Sequence, residues 1–266
     1  MSSFRSIELS DEMFEHSGLR FLTVKTPNLK GRGDICLYVP KVIDNQTDLP
    51  IYILLHGVYG SAWVWAMKGG AHVTAKRLME SGKIRPAIIA MPSDGLWGDG
   101  SGYLAHQEQD FAQWIVSDVP KAIRENIPCA SEKSPICIGG LSMGGYGALK
   151  LGAQYPEVFS AISAHSAITR FSEMSLFVEE SLESYRLRDA DNDVIDLIKR
   201  NVHSLPAIRF DCGKEDELLA GNRLLHEQLS ELGVEHSYEE FDGGHQWAYW
   251  QKHLESTLRF FEEKIC

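Results

Sequence analysis

The sequence predicts an α/β protein with a mostly parallel central sheet and helices on both of its faces. Three observations carry this. Short, continuously apolar runs recur along the chain, as strands buried on two faces require. Stretches with helical spacing alternate with them. One apolar run enters a glycine cluster that opens directly into a small-residue helix, ICIGGLSMGGYGALK.

The elements follow in order. Leu19–Lys25 and Ile35–Val39 are short, β-rich and flanked by turn residues, which predicts an antiparallel opening pair. Ile51–Leu55 and Ala87–Met91 read as buried strands, with a helix over Ala71–Ser81 between them. Gln107–Asn126 has helical spacing through Phe111, Trp114, Ile115, Val119 and Ile123, with Pro120 expected to kink or split it. Strand Ile136–Gly139, helix Met143–Gln154 and strand Val158–Ala164 come next. Strand Ala207–Asp211, helix Glu217–Leu232 with Gly233 as its C-cap, strand His236–Phe241 and amphipathic helix Gln246–Glu263 close the chain. Residues 168–205 are charged and lack a clear strand, and read as an excursion over the top of the sheet.

At 266 residues this is one domain of ordinary α/β size, and 44% hydrophobic residues supply a full core. A net charge of −11 without a basic cluster argues against nucleic acid and anionic membranes as partners. The first 18 residues are polar and lack the apolar core of a signal segment, and no apolar run is long enough to span a membrane. Cys36, Cys129, Cys137, Cys212 and Cys266 are scattered and odd in number, which predicts reduced, mostly buried thiols and a cytoplasmic location. No metal or cofactor motif is present. Asp94 and Asp99 lack calcium-loop spacing and read as a solvated turn.

Gly140-Leu141-Ser142-Met143-Gly144 is G-x-S-x-G between a predicted strand and a predicted helix. A serine on so sharp a turn needs small neighbours, and the turn lifts its hydroxyl beside a helix N-terminus. A hydroxyl needs a base, and the base an orienting acid. His165 comes too early in the chain order of such sites, His203 lies at the wrong end of a strand, His226 and His253 lie within helices, and His236 opens a strand. His245, in a glycine-flanked loop just after the last strand, fits the base. Among Asp211, Glu215, Asp216 and Glu217, Asp216 is the preferred acid and Asp211 its main competitor. The loop His56-Gly57-Val58 after an apolar strand predicts backbone N–H donors at Val58 and Met143 for an oxyanion, with His56 in a structural role.

These residues resemble the esterase family of α/β-hydrolases that contains esterase D (S-formylglutathione hydrolase), tributyrin esterases, feruloyl and acetylxylan esterases, and the mycolyltransferases. The matching stretches are LLHGVYGS (Leu54–Ser61), GLSMGGYGAL (Gly140–Leu149), YPEVFSAISAHSA (Tyr155–Ala167), CGKED (Cys212–Asp216) and GGHQWAYW (Gly243–Trp250), together spanning about three quarters of the chain. The resemblance implies an α/β-hydrolase fold, a triad of Ser142, Asp216 and His245, and donors at Val58 and Met143. Family membership does not choose a substrate, but HGVYGSAWVW looks closer to the tributyrin and carbohydrate-esterase branches, and the expected substrate is a short-chain carboxylic ester, with acyl esters of sugars as one candidate. A thioesterase or an acyltransferase on the same triad is the alternative, and a non-catalytic scaffold a more distant one. Tyr59-Gly60 after Val58 departs from the cysteines usual in the esterase D branch. Trp63, Trp65, Trp97 and Tyr103 are the expected substrate-contacting walls, and Phe171, Phe177 and Tyr185 of the excursion add aromatics. The partner is a small molecule, and a homo-oligomer stays open.

Overall fold

The apolar runs become the centre of one sheet in the computed structural model, which describes residues 4–41, 46–185, 187 and 193–265. The strands are β1 (Ser6–Leu9), β2 (Leu19–Thr26), β3 (Gly31–Tyr38), β4 (Ile51–Leu55), β5 (Ile88–Pro92), β6 (Ala105–His106), β7 (Gln109–Asp110), β8 (Ile136–Leu141), β9 (Ala161–His165), β10 (Ala207–Gly213) and β11 (His236–Phe241). Nine of them form one sheet in the order β1-β2-β3-β5-β4-β8-β9-β10-β11, and β6 and β7 pair apart as a small ladder. From β5 to β11 every pairing is parallel, whereas β1, β2 and β3 run antiparallel and β3 is antiparallel to β5. The opening therefore has three strands rather than two. β1 is four residues of alternating exposure, too short to stand out in sequence.

The helices are α1 (Val64–Met67), α2 (Ala71–Glu80), α3 (Phe111–Gln113), α4 (Val119–Asn126), α5 (Met143–Gln154), α6 (Val194–Arg200), α7 (Leu219–Glu231) and α8 (Trp247–Ile265). Side chains of a strand alternate between faces. In β4, Ile51, Ile53 and Leu55 accordingly enter one core, with Trp114, Tyr146 and Leu149 of the helices. Tyr52 and Leu54 enter the other, with Leu78 of α2 and Leu254, Leu258 and Phe261 of α8. Leu254, Leu258 and Phe261 are fully buried at helical spacing, each contributing on the order of 2 kcal/mol. α8 is thus anchored along the sheet before its first turn carries anything to the active face.

Between α3 and α4 the helix neither breaks nor kinks simply at Pro120. It widens into a π turn over Trp114–Asp118, with Pro120 in the first turn of α4. The wider turn accommodates a ring that cannot donate a backbone hydrogen bond. The excursion divides in two. Its first part, with short 3-10 turns at Phe171–Leu176 and Leu182–Tyr185, lies by the active face. Its later part contains α6, whose Val194 and Ile198 are fully buried. Residues 186 and 188–192 of the predicted excursion lie outside the described residues.

Cys36, Cys129, Cys137 and Cys212 are buried free thiols, and burial pushes Cys36 up to about 12. Cys266 lies outside the described residues. Among the described residues no helix is long and apolar enough to cross a membrane.

Candidate active site

Parallel pairing brings distant parts of the chain to one edge. Leu55 pairs with Gly140, Leu141 with His165, His165 with Asp211 and Gly213 with Phe241. The loops that follow these strand ends are where the sequence predicts the site.

Ser142 stands between β8 and α5 with φ 53° and ψ −120°, a conformation that costs a non-glycine residue about 1–3 kcal/mol. Its backbone is held on several sides. The N–H donates to His165 O at 3.0 Å, and the carbonyl accepts from Tyr146 N at 3.0 Å and Ile168 N at 3.2 Å. The glycines two before and two after are needed for close approach. A Cβ on Gly140 would run into the Gly144 backbone, and one on Gly144 would lie 2.6 Å from the His56 carbonyl oxygen. No rotamer change relieves a clash with backbone.

His245 Nε2 lies 2.9 Å from Ser142 Oγ, and its Nδ1 lies 3.0 and 3.1 Å from the two Asp216 oxygens. An ionised Asp216 only accepts, so the proton sits on Nδ1 and the Nε2 lone pair faces the hydroxyl. Burial pushes the Asp216 carboxyl up. The hydrogen bond and charge of His245, with the Leu218 N–H, outweigh this and hold it below its ordinary value. Phe177 stacks on the other side of the imidazole, ring centres 4.9 Å apart and 25° between planes.

The competing acid, Asp211, is engaged elsewhere. It accepts from His165 Nδ1 at 2.9 Å, Arg209 Nη1 at 2.6 Å and Tyr249 OH at 2.8 Å. His165 Nε2 continues to Thr257 Oγ1 at 2.8 Å, and Thr257 to Ser163 Oγ at 2.7 Å. This buried chain ties β9 and β10 to α8. Burial opposes ionisation of Asp211, but His165 and Arg209, then Tyr249, hold it at about 2.

The loop after β4 packs on the serine. A Cβ on Gly57 would lie 3.2 Å from Ser142 Cβ and 3.6 Å from Oγ. Neighbouring amides are committed: Tyr59 N donates to Asp99 O at 2.8 Å and Gly60 N to Gly57 O at 3.3 Å. His56 is buried, accepting at Nε2 from Asp94 N at 3.1 Å and contacting Gly57 O through Nδ1 at 2.7 Å. Asp94 is no solvated turn. It is 2% exposed and accepts from Leu96 N and Ser101 N, at 2.9 and 2.7 Å. Asp99 is half-buried and accepts from Glu179 N at 2.8 Å, while its carbonyl accepts from Tyr59 N, which fastens the excursion to the loop after β4.

A cleft of about 390 Å³ opens beside Ser142 and His245, walled by Trp63, Phe177, Trp247 and Trp250, with Lys68 also lining it. Of the four aromatic walls the sequence predicts, Trp63 lines this cleft. Trp65 and Tyr103 do not, because both are buried. Trp65 Nε1 donates to Leu55 O and Tyr103 OH to His56 O, so their polar atoms are spent on the backbone beneath the site. Trp97 packs edge-on to His106 and Tyr185 instead. Sequence reasoning left Trp247 and Trp250 out of the site. They follow His245 by two and five residues, so the signal was their place in the first turns of α8.

The sheet order and the strand–serine–helix turn define an α/β-hydrolase. Residues 26–261 match the model of the esterase family described as "Putative esterase". The chain belongs to that family and is a carboxylic ester hydrolase. It is 26% identical over 264 residues to an acetyl esterase of Caldicellulosiruptor saccharolyticus, covering 92% of each chain. It is 24% identical over 234 residues to the S-formylglutathione hydrolase of Rattus norvegicus, covering 80% of this chain and 78% of the relative. Among solved structures, a ferulic acid esterase superposes with a TM-score of 0.81 at 24% identity, over 99% of this chain and 100% of that one. The fluorophosphonate-binding serine hydrolase F of Staphylococcus aureus gives 0.77 at 20% identity, over 91% and 96%. These likenesses extend the fold assignment.

Proposed function

We propose that the protein hydrolyses short-chain carboxylic esters of small molecules through an acyl-enzyme on Ser142. The observation that carries this is the unbroken contact from Ser142 Oγ through His245 to Asp216, at 2.9 and 3.0 Å, at the mouth of an apolar cleft. Ser142 Oγ attacks the ester carbonyl as its proton passes to His245 Nε2. Asp216 keeps the imidazole in the reactive tautomer and balances its positive charge. The N–H groups of Met143, in the first turn of α5, and Val58 hold the oxyanion, each worth about 10²–10³ in rate. The Nε2 proton then goes to the leaving alkoxide. Water, deprotonated by the same nitrogen, attacks the acyl carbonyl and frees Ser142.

The acetyl esterase relative supports a short acyl group, and the tryptophan walls suit a sugar or aromatic portion of the ester. Unpaired buried cysteines support a reducing, cytoplasmic setting. The test is a panel of 4-nitrophenyl acetate, butyrate and octanoate, methyl ferulate and an acetyl thioester, with Ser142→Ala as control. Acetate and butyrate turn over best and Ser142→Ala is inactive on all. Equal or better octanoate turnover overturns the chain length, and preferred thioester turnover overturns the ester.

A further inference from the structure

The cleft beside Ser142 has one permanently charged side chain on its lining, and that charge is positive. The chain carries 37 acidic residues against 26 basic ones. Yet among the described residues no Asp or Glu lines the cleft, and Lys68 does. Some other lysines are spent on carboxylates, as in Lys83–Glu255 at 3.3 Å and Lys214–Asp242 at 2.8 Å. Among the described residues the Lys68 ammonium has no carboxylate within ion-pair distance. It lies 5.8 Å from the centre of the Trp247 ring, a cleft wall. The base of the side chain is fixed: Lys68 N donates to Val64 O at 2.9 Å and Gln251 Nε2 donates to Lys68 O at 2.6 Å. Trp247 is fixed in turn, edge-on to Trp65 at 5.6 Å and to Trp250 at 5.3 Å.

An ammonium held against an aromatic face at the rim of an apolar cleft is a receptor for one negative charge. We propose that Lys68 selects esters that carry a carboxylate: the ester carbonyl sits at Ser142, the apolar body between the tryptophans, and the carboxylate at Lys68 Nζ. A single lysine, a compact point charge without the guanidinium fork, fits a monoanion better than a phosphate dianion. This inference rests on the ester-hydrolase reading of Ser142 and names the substrate class of that same site.

The carboxylate can belong to the acyl half or the alcohol half, and two matched pairs separate these. The acyl pair is 4-nitrophenyl hemisuccinate against 4-nitrophenyl 4-methylpentanoate. The alcohol pair is 4-acetoxybenzoate against 4-acetoxybenzamide. The readout is the ratio of kcat/KM, anionic over neutral, in wild type, Lys68→Met and Lys68→Arg. In one of the pairs the ratio falls about fivefold in Lys68→Met, the size of a partly exposed ion pair, and is largely restored in Lys68→Arg. In wild type the same ratio falls in 1 M NaCl, where charges are screened beyond about 3 Å. That arm needs no variant. Ratios within twofold of wild type in both pairs, with no salt dependence, overturn the role of Lys68. Failure of wild type to hydrolyse any of the four esters, or full activity in Ser142→Ala, overturns the ester-hydrolase reading instead.

Discussion

Asparagine substitutions at Asp211 and Asp216 should damage different properties of the protein. Asp211 is fully buried in the link between β10 and α8 and is held at about 2, against an ordinary 3.8, by His165, Arg209 and Tyr249 in spite of its burial. At about 1.4 kcal/mol for each tenfold change in acidity, the lowered carboxyl contributes about 2 kcal/mol at neutral pH. Removing its charge also leaves Arg209, which is 4% exposed, with the half-exposed Glu239 at 3.1 Å as its remaining carboxylate partner, and breaking a buried pair costs up to about 3–5 kcal/mol. Asp211→Asn should therefore lose roughly 2–5 kcal/mol, lowering Tm by about 5–15 °C, with kcat/KM at 20 °C within about threefold of wild type. The sign of the pH dependence follows. A carboxyl lowered in the folded state stabilises above its unfolded value near 4 and ceases to do so as pH falls through 2. The stability gap between wild type and Asp211→Asn is thus full at pH 7 and narrows between pH 4 and pH 2. Asp216→Asn should do the reverse, costing about 10³–10⁴ in kcat with a small change in Tm. Urea unfolding at pH 7 and pH 3, with 4-nitrophenyl acetate kinetics, measures both. An Asp211→Asn enzyme that is stable and inactive, beside an active Asp216→Asn, would refute the assignment of the acid.

Three further substitutions test the geometry around the serine. Gly144→Ala drives a Cβ against the Leu55 and His56 carbonyls, and should give little folded protein by circular dichroism. Gly57→Ala presses on Ser142 Cβ at 3.2 Å, so Tm should change little while kcat falls about 10²-fold, as when an oxyanion donor is displaced. A Gly57→Ala enzyme of wild-type kcat would remove this loop from the mechanism. Phe177→Ala removes the ring stacked on His245, and should lower kcat about tenfold while leaving urea stability within 1 kcal/mol, because the residue is only partly buried and lies in the excursion.

Where the sequence pattern is local and steric, it reads clearly. The β4, α5 and β11 boundaries coincide with the predicted ones; β4 and α5 are apolar runs that end at polar or turn residues, and β11 is closed by Asp242-Gly243. Gly140 and Gly144 were legible for the same reason, since only a backbone collision requires glycine at both. Short elements gave no such signal. β1 has four residues, the β6–β7 ladder two on each side, and α6 seven within a charged stretch. Aromatics in loops were the hardest. Trp63 and Trp65 differ by two positions, yet one walls the cleft and the other donates to Leu55 O in the core. Phe177 resembled Phe171 and Tyr185 in sequence, and tertiary contacts hold it over His245: Tyr59 OH donates to its carbonyl at 2.5 Å and Asp99 accepts from Glu179 N nearby. Asp211 and Asp216 both follow the apolar part of a strand. Period-two alternation puts Arg209 and Asp211 on one face, a hint that Asp211 had a partner within the sheet.

The account turns on whether the Ser142 hydroxyl reacts as an activated nucleophile. Intact mass spectrometry after a fluorophosphonate, followed by peptide mapping, measures this directly. One adduct per chain on Ser142, absent in Ser142→Ala and slowed at least 10³-fold in His245→Ala, is the predicted result. An unmodified wild-type chain, or an adduct that persists in Ser142→Ala, would contradict it.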